Sequence, residues 1–279
     1  MRIAVTGATG FLGRHVIPAL ISRNVAVTAA VRPGREEKPW IEGLDKAAID
    51  LAAPPEDPFE CLGRPDVVIH LAWQSLPNYT SLHHFETELP LQYNFLKSLV
   101  KGGLQRLVIT GTCFEYGMQS GPLSETFPPA PANPYAFAKD SLRRQLDYLK
   151  AAQPFDLIWA RLFYMHGEGQ APNSLLPQLE RALAAGETSF KMSGGEQLRD
   201  YLPVTEVARM LVHLALADGD PGVINICAGK PISVRSLVEG WLTERDIAIA
   251  LNLGHYPYPD YEPMAFWGDR GRLEKFMDE

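Results

Sequence analysis

The feature that most constrains this chain lies at its start, where an apolar run Arg2–Thr6 passes through Gly7-Ala8-Thr9-Gly10-Phe11-Leu12-Gly13 into a segment of helical spacing. A strand, a glycine-rich turn and a helix in immediate succession form the phosphate-binding corner of a dinucleotide site. Gly7 permits the tight turn, Gly10 lets a pyrophosphate approach the backbone, and Gly13 lets the helix lie close on the strand. The helix start offers free N–H groups and the positive end of its dipole to the phosphates. Thr9, Phe11 and Leu12 complete the loop and are expected at the cofactor. At the end of the second strand, an acidic residue would hold the ribose hydroxyls of NAD. The run ends instead as Ala29-Ala30-Val31-Arg32, where Arg32 can pair with a 2′-phosphate and stack on adenine. NADP(H) is therefore expected over NAD(H).

The remaining pattern alternates strand and helix. Strands are expected at 25–31, 47–51, 67–72, 106–110, 155–163 and 223–227, and helices at 11–23, 81–101, 135–152, 174–185, 204–217 and 234–245. Such alternation implies βαβ units and a parallel sheet covered on both faces. The expected fold is α/β: a Rossmann-type doubly wound parallel sheet with a small C-terminal substrate-binding lobe. Residues 1–166 and 199–228 form the dinucleotide-binding domain, and 167–198 and 229–279 the lobe. Residues 189–203 read as short strand pieces, and the proline- and tyrosine-rich stretch 252–272 as irregular. Pro18 falls inside the first helix and predicts a kink.

Composition narrows the partners. With 46% hydrophobic residues among 279, the chain can bury a sizeable core. A formal charge of −7 leaves no electrostatic footprint for nucleic acid or an anionic membrane, so positive charge must be local to a ligand. Cys61, Cys113 and Cys227 are too few and too dispersed for a disulfide framework or a local zinc site, so no metal is expected. The chain starts without the build of a signal peptide, and no apolar run approaches the ~20 residues that span a bilayer. A cytoplasmic protein is expected.

Tyr135 and Lys139 lie four apart on one expected helix face. A phenol with an ordinary pKa near ~10 is a poor proton donor at neutral pH, and an adjacent ammonium lowers that value. Thr112 follows the strand 106–110, at the strand end where ligands bind in open α/β sheets, and can hydrogen-bond a substrate carbonyl beside Tyr135.

With these residues in view, the chain resembles the extended short-chain dehydrogenase/reductases, in particular the NAD(P)-dependent epimerase/dehydratase group acting on nucleotide sugars. The resemblance rests on the 6–13 loop, Asp50-Leu51, His70-Leu71-Ala72, Thr112…Tyr116-Gly117, Asn133-Pro134-Tyr135…Lys139 and Arg161-Leu162-Phe163. It continues through Asn173…Leu176-Pro177, Gly195…Arg199-Asp200-Tyr201…Val204 and Val223-Ile224-Asn225-Ile226, in family order over nearly the whole chain. It implies that Tyr135 is the general acid/base, Lys139 its modulator and nicotinamide-ribose ligand, and Thr112 the substrate-orienting hydroxyl. Asp50 and Leu51 would border the adenine, with Leu71 and Ala72 near the cofactor. Arg199 would contact the diphosphate of a nucleotide sugar, Phe163 and Asn173 would line the nucleotide pocket, and Arg270 or Arg272 would add a second diphosphate contact. In such proteins the helices at 81–101 and 135–152 pack into a four-helix bundle, which implies a homodimer.

Departures from the pattern narrow the reaction. The 4,6-dehydratases carry an Asp-Glu pair after the catalytic threonine, where this chain has Cys113-Phe114. Enzymes that epimerise C3 and C5 carry a cysteine two residues after the catalytic hydroxyl and a histidine after the later Tyr-Gly, where this chain has Phe114 and Glu168-Gly169. Cys113 reads as a buried strand-end residue and Glu115 as a helix cap or surface partner. Two reactions remain. One is reduction of a 4-ketosugar by NADPH, favoured by Val31-Arg32 and by the likeness of the Gln197–Tyr201 stretch to small reductases that finish deoxysugars for O-antigen synthesis. The other is 4-epimerisation with held NAD, disfavoured because Tyr164 stands where 4-epimerases commonly have asparagine. An NADP-binding sensor without turnover is a third reading, and intact Thr112, Tyr135 and Lys139 argue against it.

Overall fold

The alternating pattern resolves, in a computed structural model that describes residues 1–35 and 37–278, into a seven-stranded sheet. Its strands are β1 (Arg2–Thr6), β2 (Ala26–Val31), β3 (Asp45–Ala48), β4 (Val67–His70), β5 (Arg106–Thr112), β6 (Asp156–Leu162) and β7 (Val223–Ile226). They run parallel in the order β7-β6-β5-β4-β1-β2-β3. The winding reverses between β1 and β4, and a crevice for a ligand opens at the carboxyl ends of strands at such a switch point. Every residue of β4 is buried, as expected of a central parallel strand covered on both faces.

The helices are α1 (Gly13–Ile21), α2 (Leu89–Gly102), α3 (Pro134–Ala152), α4 (Leu175–Ala184), α5 (Val204–Leu216), α6 (Val234–Glu244) and α7 (Gly271–Asp278). On one face of the sheet, Val16, Ile17 and Leu20 of α1 meet Val207, Leu211 and Leu214 of α5. On the other, Phe95, Leu96 and Leu99 of α2 meet Leu142 and Leu146 of α3. Each such fully buried side chain contributes roughly 1.5–3 kcal/mol. A separate small core joins Leu176 and Leu179 of α4 to Phe190, Val238 and Trp241. Among the described residues no helix is long and apolar enough to cross a membrane.

Two expectations are corrected, and a third in part. The third strand is Asp45–Ala48, not 47–51, because it lies at the sheet edge where its charged first residues, Asp45 and Lys46, stay exposed. The single helix expected at 81–101 is instead a wide i+5 turn at His84–Glu88 followed by α2. Pro90, in the first turn of α2, has no N–H to continue a regular ladder from the preceding turn. Helix α1 continues through the solvent-exposed Pro18. The tail is irregular over 253–264, as expected, but regular at its ends: Ala250–Asn252 pairs with Ser189–Lys191, Phe266–Gly268 pairs with Gly121–Leu123, and Leu273 of α7 joins the α1/α5 face of the sheet.

Candidate active site

Two adjoining cavities lie above the sheet. The first, of about 570 Å³, opens at the ends of β1, β2, β4 and β5. The glycine loop forms one wall of it. Gly7 has φ +67°, and a Cβ there would stand 2.8 Å from the Ala72 amide nitrogen. A Cβ at Gly13 would stand 2.5 Å from the Gly7 carbonyl oxygen. Only glycine fits either place, and no side chain caps the start of α1. An uncapped helix start beside bare backbone is the surface a pyrophosphate needs, so these residues fit a dinucleotide. Thr9, Gly10, Phe11, Leu12, Arg32, Leu51, Leu71 and Ala72 line the same cavity. Arg32 makes no ion pair among the described residues. Asp50 does not reach the cavity, because its carboxylate turns back to accept the Ala52 amide at 3.0 Å.

A buried polar chain ties β1 to β4 beneath this cavity. The Thr6 hydroxyl lies 2.9 Å from Nδ1 of His70, and Nε2 of His70 lies 2.6 Å from the Gln92 side-chain carbonyl. Gln92 donates in turn to the Ala72 carbonyl at 3.1 Å and to the Glu88 carboxylate at 2.9 Å. Burial, with the charge of Lys139 adding to it, pushes the His70 imidazole down to about 3, so His70 serves this chain as a neutral ring.

At the far end stand Thr112, Tyr135 and Lys139. Helix α3 delivers two of them through its first turns, because Asn133 caps it by accepting the Ala136 amide at 2.9 Å and Pro134 fits the first position. Thr112 is held by a capping box in which its own amide donates to Glu115 at 2.9 Å. Glu115 is thus a helix cap but no surface partner: it is fully buried, ion-paired with Arg161 at 2.7 Å and accepting from the Trp159 indole at 2.9 Å. The Thr112 hydroxyl accepts the Phe114 amide at 3.3 Å and shares the cavity wall with the Tyr135 phenol. Lys139 donates to the Thr110 carbonyl at 2.9 Å, with its Nζ 4.0 Å from the centre of the Trp73 ring.

The electrostatics differ from the simple picture of an ammonium lowering a phenol. Burial first, then the neighbouring Tyr79 and Glu115, pushes Tyr135 up, and only the Thr112 hydroxyl works the other way. Burial likewise pulls Lys139 down to about 7, against Glu115 and Glu88. For both groups desolvation is the largest influence. Cys113 is a buried strand-end residue as expected, with its thiol pushed up by burial and so no nucleophile.

The second cavity, of about 610 Å³, is lined by Asn173, Arg199, Glu262 and a ring of tyrosines. Pro77, Tyr79, Phe114 and Tyr164 line both cavities, whereas Phe163 lines only the first. Arg199 lies 3.3 Å from Glu262, donates to the Leu198 carbonyl at 2.8 Å and sits 4.6 Å over the Phe266 ring. Its neighbour Asp200 accepts the amides of Ala228 at 2.6 Å and Gly229 at 2.9 Å, which fixes the strand that presents Arg199. Arg270 and Arg272 reach neither cavity. They donate instead to the carbonyls of Cys227 at 3.0 Å and Val223 at 2.8 Å, at β7.

Sequence reasoning missed Trp73, Tyr79 and Glu262. Trp73 follows Ala72 directly, and that adjacency to the cofactor motif was a usable signal. Glu262 sits in the tail with no local pattern to mark it.

Comparison with known proteins agrees with this geometry. Residues 3–227 match the NAD dependent epimerase/dehydratase family. The chain is 28% identical over 270 residues to the dTDP-6-deoxy-L-talose 4-dehydrogenase (NAD(+)) of Aggregatibacter actinomycetemcomitans, covering 96% of this chain and 99% of that one. Among solved structures, the UDP-N-acetylglucosamine 4-epimerase of Methanobrevibacter ruminantium M1 superposes with a TM-score of 0.84 at 26% identity, over 99% of this chain and 91% of that one. MoeE5 in complex with UDP-glucose and NAD superposes with a TM-score of 0.84 at 25% identity, over 100% of this chain and 92% of that one.

Proposed function

This chain belongs to the NAD dependent epimerase/dehydratase family, and on that premise we propose that it is an NADPH-dependent reductase of a nucleotide-4-ketosugar. The observation that carries the reading is the placement of Arg32, Thr112, Tyr135 and Lys139 around one cavity. Arg32 stands where a 2′-phosphate would be met, with no carboxylate in its place.

A reduced nicotinamide cofactor, held by the glycine loop, Arg32 and Lys139, would supply the hydride for C4 of the sugar. Tyr135 supplies the matching proton: its O–H bond breaks as a new O–H bond forms at the C4 oxygen, so the carbonyl becomes a hydroxyl. Thr112 holds that oxygen within reach of the phenol. Lys139 stabilises the phenolate left behind until water returns the proton. Arg199 in the second cavity is the guanidinium available to a diphosphate.

A 4-epimerase is the second reading, supported by likeness to a 4-epimerase over nearly the whole chain. It would oxidise and re-reduce C4 with no net use of cofactor. Mass spectrometry separates the two. Given NADPH and dTDP-, GDP- and UDP-4-keto-6-deoxysugars, a reductase yields a product heavier by two hydrogens for each NADPH consumed. An isomer of unchanged mass formed without NADPH consumption from a 4-hydroxysugar would establish the epimerase instead.

A further inference from the structure

Trp73 stands beside the reacting groups, yet the proposed reaction gives it no part. Its indole ring lines the first cavity together with Tyr135 and Lys139. Nζ of Lys139 lies 4.0 Å from the centre of that ring, which stands at 75° to the Tyr135 ring with 5.9 Å between centroids. An ammonium carries three N–H groups, but among the described residues Lys139 finds one acceptor, the Thr110 carbonyl at 2.9 Å. Lys139 is buried, and the negative face of the Trp73 ring is a second contact for its charge.

The ring is held from three sides. Before it in the chain, the Ala72 amide donates to the Thr6 hydroxyl at 3.3 Å, and the Ala72 carbonyl accepts from Gln92 at 3.1 Å. After it, the Gln74 amide donates to the buried Glu88 carboxylate at 3.3 Å. The indole N–H itself donates to Nδ1 of His84 at 3.1 Å. Indole can only donate, so Nδ1 is the accepting nitrogen, and the Nε2–H donates to the Asn78 carbonyl at 2.8 Å. His84 is buried and lies on the wide turn His84–Glu88, so the turn that interrupts the expected helix also orients the indole.

We propose that Trp73 is a positioning residue that acts through Lys139, its ring face holding the ammonium beside Tyr135 and keeping it charged. A desolvated ammonium gains most from such a contact, and tryptophan is the best ring for it. Burial draws Lys139 down to about 7, so near neutral pH its charge is closely balanced and a modest loss of support removes it. Charged Lys139 is what stabilises the Tyr135 phenolate in the proposed reaction, and to that extent the inference rests on that reading. The other titratable groups around Lys139 are Glu115 behind Thr112, Glu88 and His84 on the wide turn, His70 on β4 and Tyr135 on its own helix.

The test reads the Lys139 ammonium directly. In the whole protein with isotope-labelled lysine, its side-chain signal is assigned by its absence from Lys139→Met and followed against pH by NMR. Position 73 carries tryptophan or indoles of increasing fluorine content, which nearly keep the ring's size but weaken its negative face and remove none of the neighbouring charges. The expected result is a titration midpoint that falls stepwise with fluorination, and by about one pH unit, or tenfold in the acid constant, in Trp73→Leu. Trp73→Phe, which keeps a ring face, lies between the unmodified protein and Trp73→Leu. The alkaline limb of turnover with NADPH and a 4-ketosugar moves down by the same step in variants matched in melting temperature. A midpoint that ignores fluorination or rises in Trp73→Leu, or a limb that stays in place as the midpoint falls, overturns the inference while the reduction itself stands. Absence of turnover with every 4-ketosugar overturns the reaction instead, and the NMR midpoints alone then decide whether Trp73 supports the charge.

Discussion

The first cavity is bounded by strand ends and bare backbone, the second by side chains carried on segments far apart in sequence. In the first, Gly7, Gly10 and Gly13 stand within one turn of chain, and Tyr135 and Lys139 within one turn of helix. In the second, Tyr79, Asn173, Arg199 and Glu262 come from four separate stretches. The first is also anchored through the sheet, by the Thr6–His70–Gln92 chain below and the Glu115–Arg161 pair behind Thr112. The second is anchored by short two-stranded pieces that join Leu198–Arg199 to Ile232–Ser233 and Tyr201–Pro203 to Tyr164–His166. A common cofactor is met by local, rigid geometry, and a varied substrate by side chains that can change without disturbing the sheet.

The sharpest way to break this division is at the reacting end of the first cavity. Tyr135→Phe removes the proton donor but no apolar surface, so turnover should fall by about 10²- to 10⁴-fold while cofactor affinity stays nearly unchanged. Surviving turnover, measured in steady state beside cofactor titration, would show that the proton comes from elsewhere. At the other end of the first cavity, Arg32→Ser should weaken NADPH about tenfold or more and leave NADH alone, since one charge-assisted contact is lost. Fluorescence titration with both cofactors reads this, and a native preference for NADH would favour the epimerase reading.

The smallest effect concerns stability. His70 is held down to about 3 in the folded protein, whereas an unfolded histidine titrates near ~6.5. Between these values the unfolded chain takes up a proton that the folded chain refuses, so stability falls as the pH falls through that window. His70→Gln should flatten this acid slope in melting temperature measured without ligand. An identical slope in the variant would show that His70 is not the group resisting protonation.

What could be read in advance follows the same division. The loop from Gly7 to Gly13 and the Tyr135–Lys139 spacing are local, and both stretches line the first cavity. Central strands such as β4 were legible because burial on both faces writes a continuous apolar run. Edge strand β3 was shifted because an exposed edge tolerates Asp45 and Lys46. The partner of Glu115 was hidden because Arg161 stands 46 residues away. Asp50, Arg270 and Arg272 matched by order along the chain, yet each is engaged by nearby backbone. Glu262 was invisible because the turns that bring it to Arg199 are tertiary, with no period or spacing to betray them.

Pro77, Tyr79, Phe114 and Tyr164 form a party wall between the two chambers. A molecule in either chamber would touch side chains that also face the other, and any influence of one occupancy on the other would by thermodynamic reciprocity be equal in both directions. With both chambers filled, these four side chains would be covered from two sides at once.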